Sequence, residues 1–567
     1  MFRCPTLRLV PLIVLAFCLG AGSASAAAQK PLDLGAGDKA DDVIRRVLLA
    51  GANVPTDVFT LRQELLKHGT LKTHIVANGG HEHPTPRGVM FMCFETYSGR
   101  GFGGKDAAED ELFLGFFIGR EGEALAVRPG FVELIAWDRT KRLYNFWELI
   151  DGRWHYRGDS RDVLDDVAEI NVAAAVPKFG QRLRCSGCHT LGGPIMKEMQ
   201  PPHNDWWTVK GKLQIKPWRL EEGKDESNPK HLAAQLFQNA SDAANLSRQV
   251  KSGIDRLLSG DAWQKGRSLK EQLRSLFGTM EMNLVTDRRP FKERASKGEA
   301  IEVPLDFYVD ARLAGHKQGI AVEFERYTKA LAAVGSRFPP GAKAATTETR
   351  HAFLVPARSY IDNRVLDALV VRALLDEELI ADVLAVDFTT PVYSRARAAL
   401  IRYVPEKAKD VRELREQLIK ALEQAPAADQ AAKELLANLK DPQRTAAYHR
   451  KAVASYLEAC RKAAQDVNAV TDWLKVASQR RVEMVAAETA RHPRGNILEA
   501  GFRVVFPADR LESRPGRLRL DPATGACQPI PGAKEPTSGG VYPRRPALSA
   551  GINPAARRLS LSPRRTE

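Results

Sequence analysis

At 567 residues, with 44% hydrophobic and 27% charged side chains, the chain has material for two or three packed domains, which excludes disorder throughout. Its 84 Lys and Arg exceed its 69 Asp and Glu, a net charge of +15, which favours acidic protein or anionic lipid surfaces as partners. Nucleic acid is not an expected partner, given the export signal described next, and seven cysteines are too few to staple a chain of this length, so each is read by itself.

Residues 1–26 read as a signal peptide. Arg3 and Arg8 precede the apolar run 9–20, and Ala24-Ser25-Ala26 offers the small residues of a cleavage site, so the mature chain is expected from Ala27, in the periplasm of a bacterium. Cys18 lies between Phe17 and Leu19, too bulky for a lipidation signal. No other stretch approaches the ~20 apolar residues of a membrane span, so none is expected.

A first domain is expected over 27–160. Segments 41–50 and 56–68 carry apolar residues at helical spacing, with Val43, Val47 and Leu48 on one face and Phe59, Leu61, Leu65 and Leu66 on the next. Aromatic and β-branched runs then predict strands at 71–77, 88–97, 112–118, 131–137, 143–150 and 153–156, with Asp151-Gly152 as a tight hairpin turn. The expected result is an antiparallel sheet packed with two leading helices. Residues 99–104 (GRGFGG) neither follow a parallel strand nor open a helix, so they read as a hairpin loop rather than a phosphate cradle. His81-Glu82-His83-Pro84 brings two imidazoles and a carboxylate close enough for a divalent metal, although such loops are usually exposed and empty.

The chemistry is stated at Arg184-Cys185-Ser186-Gly187-Cys188-His189. Cys-x-x-Cys-His is the c-type haem attachment pattern: two thiols three positions apart at the start of a helix can both add to the vinyl groups, and the next residue presents its imidazole to the iron. A thioredoxin-like redox pair expects a βαβ unit, and a zinc site needs a further Cys or His pair at ligand spacing; neither is found. Over residues 184–194, RCSGCHTLGGP, the chain resembles the monohaem c-type cytochromes, with Gly192-Gly193-Pro194 following the motif. The resemblance implies one haem c on the Cys185 and Cys188 thioethers, His189 as proximal ligand, and a proline turn at Pro194 whose carbonyl holds the imidazole N–H.

A haem-binding region is expected over 161–300. Candidates for the sixth ligand are Met280 and Met282, then His203, which would lower the reduction potential relative to a thioether, and the nearer Met196 and Met199; each methionine has core packing as its alternative. Trp206 and Trp207 suit either the wall of a haem crevice or ordinary core. No second Cys-x-x-Cys-His occurs, so at most one covalent haem is expected.

A helical region over 301–527 follows. Residues 442–493 lack internal Gly and Pro, and Val453, Leu457, Cys460, Ala464, Val467, Val470, Leu474 and Ala477 recur at steps of three and four, which predicts one long helix docked on 363–388 and on the helices of 406–440. The charges of 406–423 read as i,i+4 salt-bridge faces. Cys93 and Cys460 read as core residues, with a Cys460–Cys527 disulfide as an alternative. Residues 528–567, with three Arg-Arg pairs, read as a disordered basic tail, either a plain solvated extension or a weak tether to an anionic surface.

The fold class expected is therefore mixed α/β of the α+β kind, predominantly helical, with a β-rich N-terminal domain, a cytochrome c-like haem region and long C-terminal helices. The function expected is covalent haem binding and electron transfer in an exported protein, docking on an acidic redox partner. The alternative is a haem enzyme, a peroxidase or oxygenase, or a haem sensor, with an open sixth position, because the chain is several times longer than one haem needs. His203, Asp205 and Glu281 would then be the acid–base groups to consider.

Overall fold

In the computed structural model, the described residues are those of 35–529 other than 50–53, 78–88, 100–109, 164–188, 190, 196–204, 210–212, 214–218, 266, 279–283, 286–299, 335–354, 393, 442–448, 478–479, 481–495, 500–503, 508–517 and 521–526. The signal-peptide segment, the His81-Glu82-His83 loop, residues 100–104 of the glycine-rich loop and residues 530–567 of the basic tail lie outside them.

The first true helix, α1 (Val58–His68), starts at a capping box in which the Thr60 N–H donates to the Asp57 carboxylate at 2.8 Å. Its Val58, Leu61 and Leu65 fall on one face and are buried. The expected helix at 41–50 is instead a single π-type run, Ile44–Leu48, preceded by a 3-10 turn, Gly35–Lys39. Six strands follow: β1 (Gly69–Ala77), β2 (Val89–Gly99), β3 (Leu112–Glu121), β4 (Ala124–Asp138), β5 (Leu143–Ile150) and β6 (Arg153–Asp159). Each pairs antiparallel with the next, and the two-residue β7 (Asp205–Trp206) closes the far edge on β1, giving the order β6-β5-β4-β3-β2-β1-β7. Asp151 and Gly152 both take positive φ, 47° and 78°, in the β5–β6 turn, as the hairpin pattern requires. β4 is longer than its apolar run. Pro129 and Gly130 lie inside it, in the stretch where the register with β3 shifts between Gly115 and Phe117.

Strict alternation sends successive side chains to opposite faces of the sheet. One face carries Phe91, Cys93, Leu112, Leu114, Phe116, Leu134, Ala136, Trp147 and Leu149, and is covered by α1 and by α2 (Pro229–Gln238), whose Phe237 meets Phe91 edge-on at 5.0 Å. The other face carries Val76, Phe113, Trp137, Tyr144, Phe146 and Trp206 and packs against helices. These are α3 (Ala243–Ser259), with Leu246, Val250, Ile254 and Leu257 in one stripe, and α4 (Leu269–Phe277), then more distant helices. Sheet and helices therefore share one core that runs across residues 160 and 300.

Further along, the hairpin of β8 (Ala300–Val303) and β9 (Ile320–Glu323) leads into α5 (Phe324–Ala333). The helices α6 (Tyr360–Val371), α7 (Glu377–Ala385), α8 (Val411–Glu423) and α9 (Gln430–Lys440) extend the core that reaches the sheet. The charges of α8 also reach beyond their own helix: Arg415 meets Asp382 of α7 at 2.8 Å, and Glu423 meets Lys440 of α9 at 2.6 Å. The helix expected at 442–493 is divided. α10 (Arg450–Ala463) ends, and the next helix, 467–477, starts with the Asn468 N–H donating to the Asp466 carboxylate at 2.9 Å, so a local cap breaks the run without Gly or Pro. The apolar stripe over both pieces is buried as expected, but mainly against β8, β9, α5 and the Leu305–Val309 segment rather than against 363–388 and 406–440. Tyr308 and Trp473 meet edge-on there at 5.2 Å.

Cys93 and Cys460 are buried and in no disulfide, so the Cys460–Cys527 bridge is not formed; both lie in apolar clusters. The backbone of Cys527 pairs with Leu520 in a short hairpin, Leu518–Leu520 with Cys527–Pro529, and strand pairing thus reaches into the first residues of the expected basic tail. Among the described residues, no helix is long and apolar enough to cross a membrane.

Candidate metal centre

The site is built from the β5–β6 edge of the sheet upward. Along β5, Tyr144 and Phe146 lie two residues apart and so share the helix-covered face. β6 ends at Asp159, and Ser160, which is 0% exposed, begins a helical stretch described over 160–163. The Ser160 hydroxyl accepts the Tyr144 N–H at 3.0 Å and donates to the Gly192 carbonyl at 2.6 Å. That second bond ties the chain after the Cys-x-x-Cys-His motif to the sheet.

The turn itself is tight. The Gly192 N–H donates to the His189 carbonyl at 2.7 Å, closing a four-residue turn, and Gly192 has a φ of 72°. A side chain there would be strained and would also meet Ser160: a Cβ would sit 2.7 Å from its carbonyl oxygen and 2.9 Å from its Cα and Cβ. Gly193 is similarly confined, with Leu257 of α3 2.9 Å from where a Cβ would be. Pro194 is buried, and its ring packs into a notch at Gly253, the position in α3 where any Cβ would also collide with the Tyr144 hydroxyl.

His189 is half-buried, its ring tilted against Phe146 with centroids 5.6 Å apart. Its Nδ1 lies 2.7 Å from the Gly193 carbonyl oxygen. A carbonyl can only accept, so Nδ1 carries the hydrogen, and in the neutral ring Nε2 carries the lone pair that a metal requires. The acceptor is thus Gly193 and not Pro194, which the resemblance nominated. Gly192 in the left-handed conformation curls the chain back one residue early, and Pro194 serves to wedge the turn against α3.

A polar group flanks the turn. The Tyr144 hydroxyl donates to Glu111 at 2.5 Å, and Arg256 of α3 approaches the same carboxylate at 3.4 Å. Burial raises the Glu111 pKa, against the opposing pull of Arg256 and Tyr144; burial, with Glu111 next, pushes Tyr144 well above the usual phenol range. Arg256 and Arg142 both lie over the Trp137 ring, at 5.2 and 5.6 Å.

Further across the same face, Met92, Phe94 and Ile135 are only partly buried, and Phe94 stacks on Trp206 at 5.7 Å. The paired tryptophans divide: Trp206 joins the helix-covered core and Trp207 packs against the opposite one. His74, 0% exposed on β1, has its pKa pushed down to about 4 by burial, with the Lys72 charge adding to the effect.

Of the residues singled out from sequence, His189 and Pro194 are described and lie in one turn. Cys185, Cys188, Met196, Met199, His203, Met280, Met282 and Glu281 lie outside the described residues, and Asp205 is described only through its backbone pairing with Ala77. Among the described residues no cluster of three or more His, Cys, Asp or Glu is arranged to hold a metal ion. Sequence reasoning missed Ser160, Tyr144 and Phe146, which lie 29 to 45 residues before His189 with no spacing to mark them. One signal was present: Gly253, in the middle of a helix where Gly costs about 1 kcal/mol relative to Ala, marks a close approach.

No family model, no curated protein and no solved structure matches this chain. The functional reading rests on the motif and on the geometry around His189.

Proposed function

We propose that this chain is an exported c-type haem protein that transfers single electrons, with one haem held by thioethers to Cys185 and Cys188 and by the His189 imidazole. The observation that carries the reading is the 2.7 Å bond from His189 Nδ1 to the Gly193 carbonyl, within a Cys-x-x-Cys-His sequence. It fixes the tautomer that an iron-ligating histidine needs and orients the ring, so the residues present fit the group. When bound, the haem supplies a one-electron iron couple.

The protein's own residues have three tasks in this reading. His189 presents Nε2, held by the Gly193 carbonyl and by the Phe146 ring. The apolar Phe146 ring beside the imidazole lowers the local dielectric, which favours a buried cofactor. The positive surplus draws an acidic redox partner, with an on-rate that falls as salt rises. Met280, Met282, His203, Met196 and Met199 are the residues from which a further protein ligand to the iron would come.

The test uses the full chain produced with a c-haem maturation system. Covalent haem should survive denaturing electrophoresis, disappear in Cys185→Ala/Cys188→Ala, and show an altered ligation spectrum in His189→Ala. A reduced spectrum that carbon monoxide leaves unchanged supports the carrier. A prompt shift with carbon monoxide moves the assignment to an enzyme or sensor, and absence of covalent haem from the unmodified chain ends the reading.

A further inference from the structure

We propose that Ser160 is a positioning residue for His189: its hydroxyl, held by β5, sets the backbone plane that aims the imidazole, and so sets the reduction potential of the bound iron. This rests on the haem reading above. Gly192 and Gly193 are two successive residues without side chains, which by themselves leave the backbone free to take many conformations. A ligand that must be held in one orientation cannot depend on such a pair unless something outside it fixes the peptide planes.

Ser160 does so from 32 residues away in sequence. Its hydroxyl has one hydrogen, donated to the Gly192 carbonyl at 2.6 Å, and it accepts the Tyr144 N–H at 3.0 Å, so it links the turn to a paired strand of the sheet. The Gly192–Gly193 plane is thereby pinned on one side by a buried hydrogen bond and on the other by Leu257, 2.9 Å from the Cβ position of Gly193. The next carbonyl along is that of Gly193, which accepts from His189 Nδ1. Ser160 therefore acts on the imidazole through one intervening plane. The same strand contributes Phe146 against the ring, so β5 both anchors Ser160, through the Tyr144 N–H, and packs on His189.

An Nδ1–H bond to a carbonyl makes an imidazole more electron-donating, which favours the oxidised iron. Loss of the Ser160 hydroxyl leaves the Gly192 carbonyl and the Tyr144 N–H without that partner, loosens the turn and weakens the bond, so the potential should rise. The experiment is redox titration of the haem-loaded full chain. Ser160→Ala and Gly192→Ala should each raise the midpoint, by about tenfold in the reduction equilibrium, which is about 59 mV for a one-electron couple. Trp154→Phe, which removes the 2.8 Å bond from Trp154 Nε1 to the Pro55 carbonyl away from the turn, should lower the melting temperature and leave the midpoint in place.

A haem-loaded wild type whose midpoint is unchanged by Ser160→Ala overturns the clasp and leaves the haem reading standing. Equal shifts in Ser160→Ala and Trp154→Phe also overturn it, because the potential would then follow general stability. A wild type without covalent haem removes the haem reading and this proposal together.

Discussion

The two faces of the sheet are made by the same strands, yet they are finished differently. On the face toward α1 and α2 the central side chains are sealed, with Cys93, Leu114, Phe116 and Leu134 each 0–1% exposed, and a buried charge pair there is matched: Arg62 meets Glu95, which also accepts the Thr73 hydroxyl at 2.8 Å. On the face toward α3, Met92, Phe94 and Ile135 are only partly covered, and buried titratable groups, His74 and the Tyr144–Glu111 pair, accompany the His189 turn. The sealed face provides stability, and the other gives up part of its packing to hold a polar turn. A site is found where the packing of a two-sided sheet is incomplete on one side.

Four experiments test this contrast. The largest effect is expected on the sealed face: Glu95→Ala leaves Arg62 buried without its partner and should cost about 3–5 kcal/mol in denaturant unfolding, with the haem potential unmoved. Next is a pH dependence on the other face. His74 in the folded chain is held at about 4 against an ordinary 6.5, so the unfolded chain takes up a proton as pH falls through that window and the folded chain does not. Stability is full above pH 6.5 and should decline toward pH 4 by about 2–3 kcal/mol. Asp306, raised to about 7 by burial and by Asp310, gives the opposite slope, with stability falling as pH rises from 3.8 to 7. The readout for His74 is therefore the difference between the wild type and His74→Leu, which should lose the acid-side decline.

A smaller effect is expected at Phe146→Leu, which keeps most of the buried volume but removes the ring against His189. The cost should be about 1–1.5 kcal/mol, accompanied by a changed haem spectrum, whereas a change in stability alone would place Phe146 in the core and outside the site. The smallest is Asp57→Ala, which removes the α1 cap; it should cost about 1 kcal/mol by thermal unfolding and leave the spectrum unchanged, because α1 covers only the sealed face.

Much of the sheet was legible. Runs of aromatic and β-branched residues located all six long strands, and Asp151-Gly152 fixed the last hairpin, since residue type along a run and a pair of positive-φ residues are local properties. The full length of β4 was not legible, because Pro129-Gly130 reads as a turn in sequence and is absorbed in a register shift in the fold. The stripe from Val453 to Ala477 was read correctly as buried, but its break at Asp466 depends on a side-chain cap, and its packing partners depend on which surface was nearest. The site divided in the same way: His189 was marked by its motif, while Ser160, Tyr144 and Phe146 were unmarked because no fixed spacing joins them to it.

The strand-forming runs, the helical stripes and the residue types at positions 185, 188 and 189 are set by a few neighbouring residues along the chain. Packing in three dimensions left the centre of one face of the sheet sealed and the other partly covered. It also decided that Gly193, rather than Pro194, would accept the imidazole N–H, and that a serine at the end of β6 would hold the turn. The hold on the turn depends on groups brought to about 3 Å or less by packing across 16 and 32 residues of chain, where hydrogen bonds are short-ranged and no sequence period records the approach.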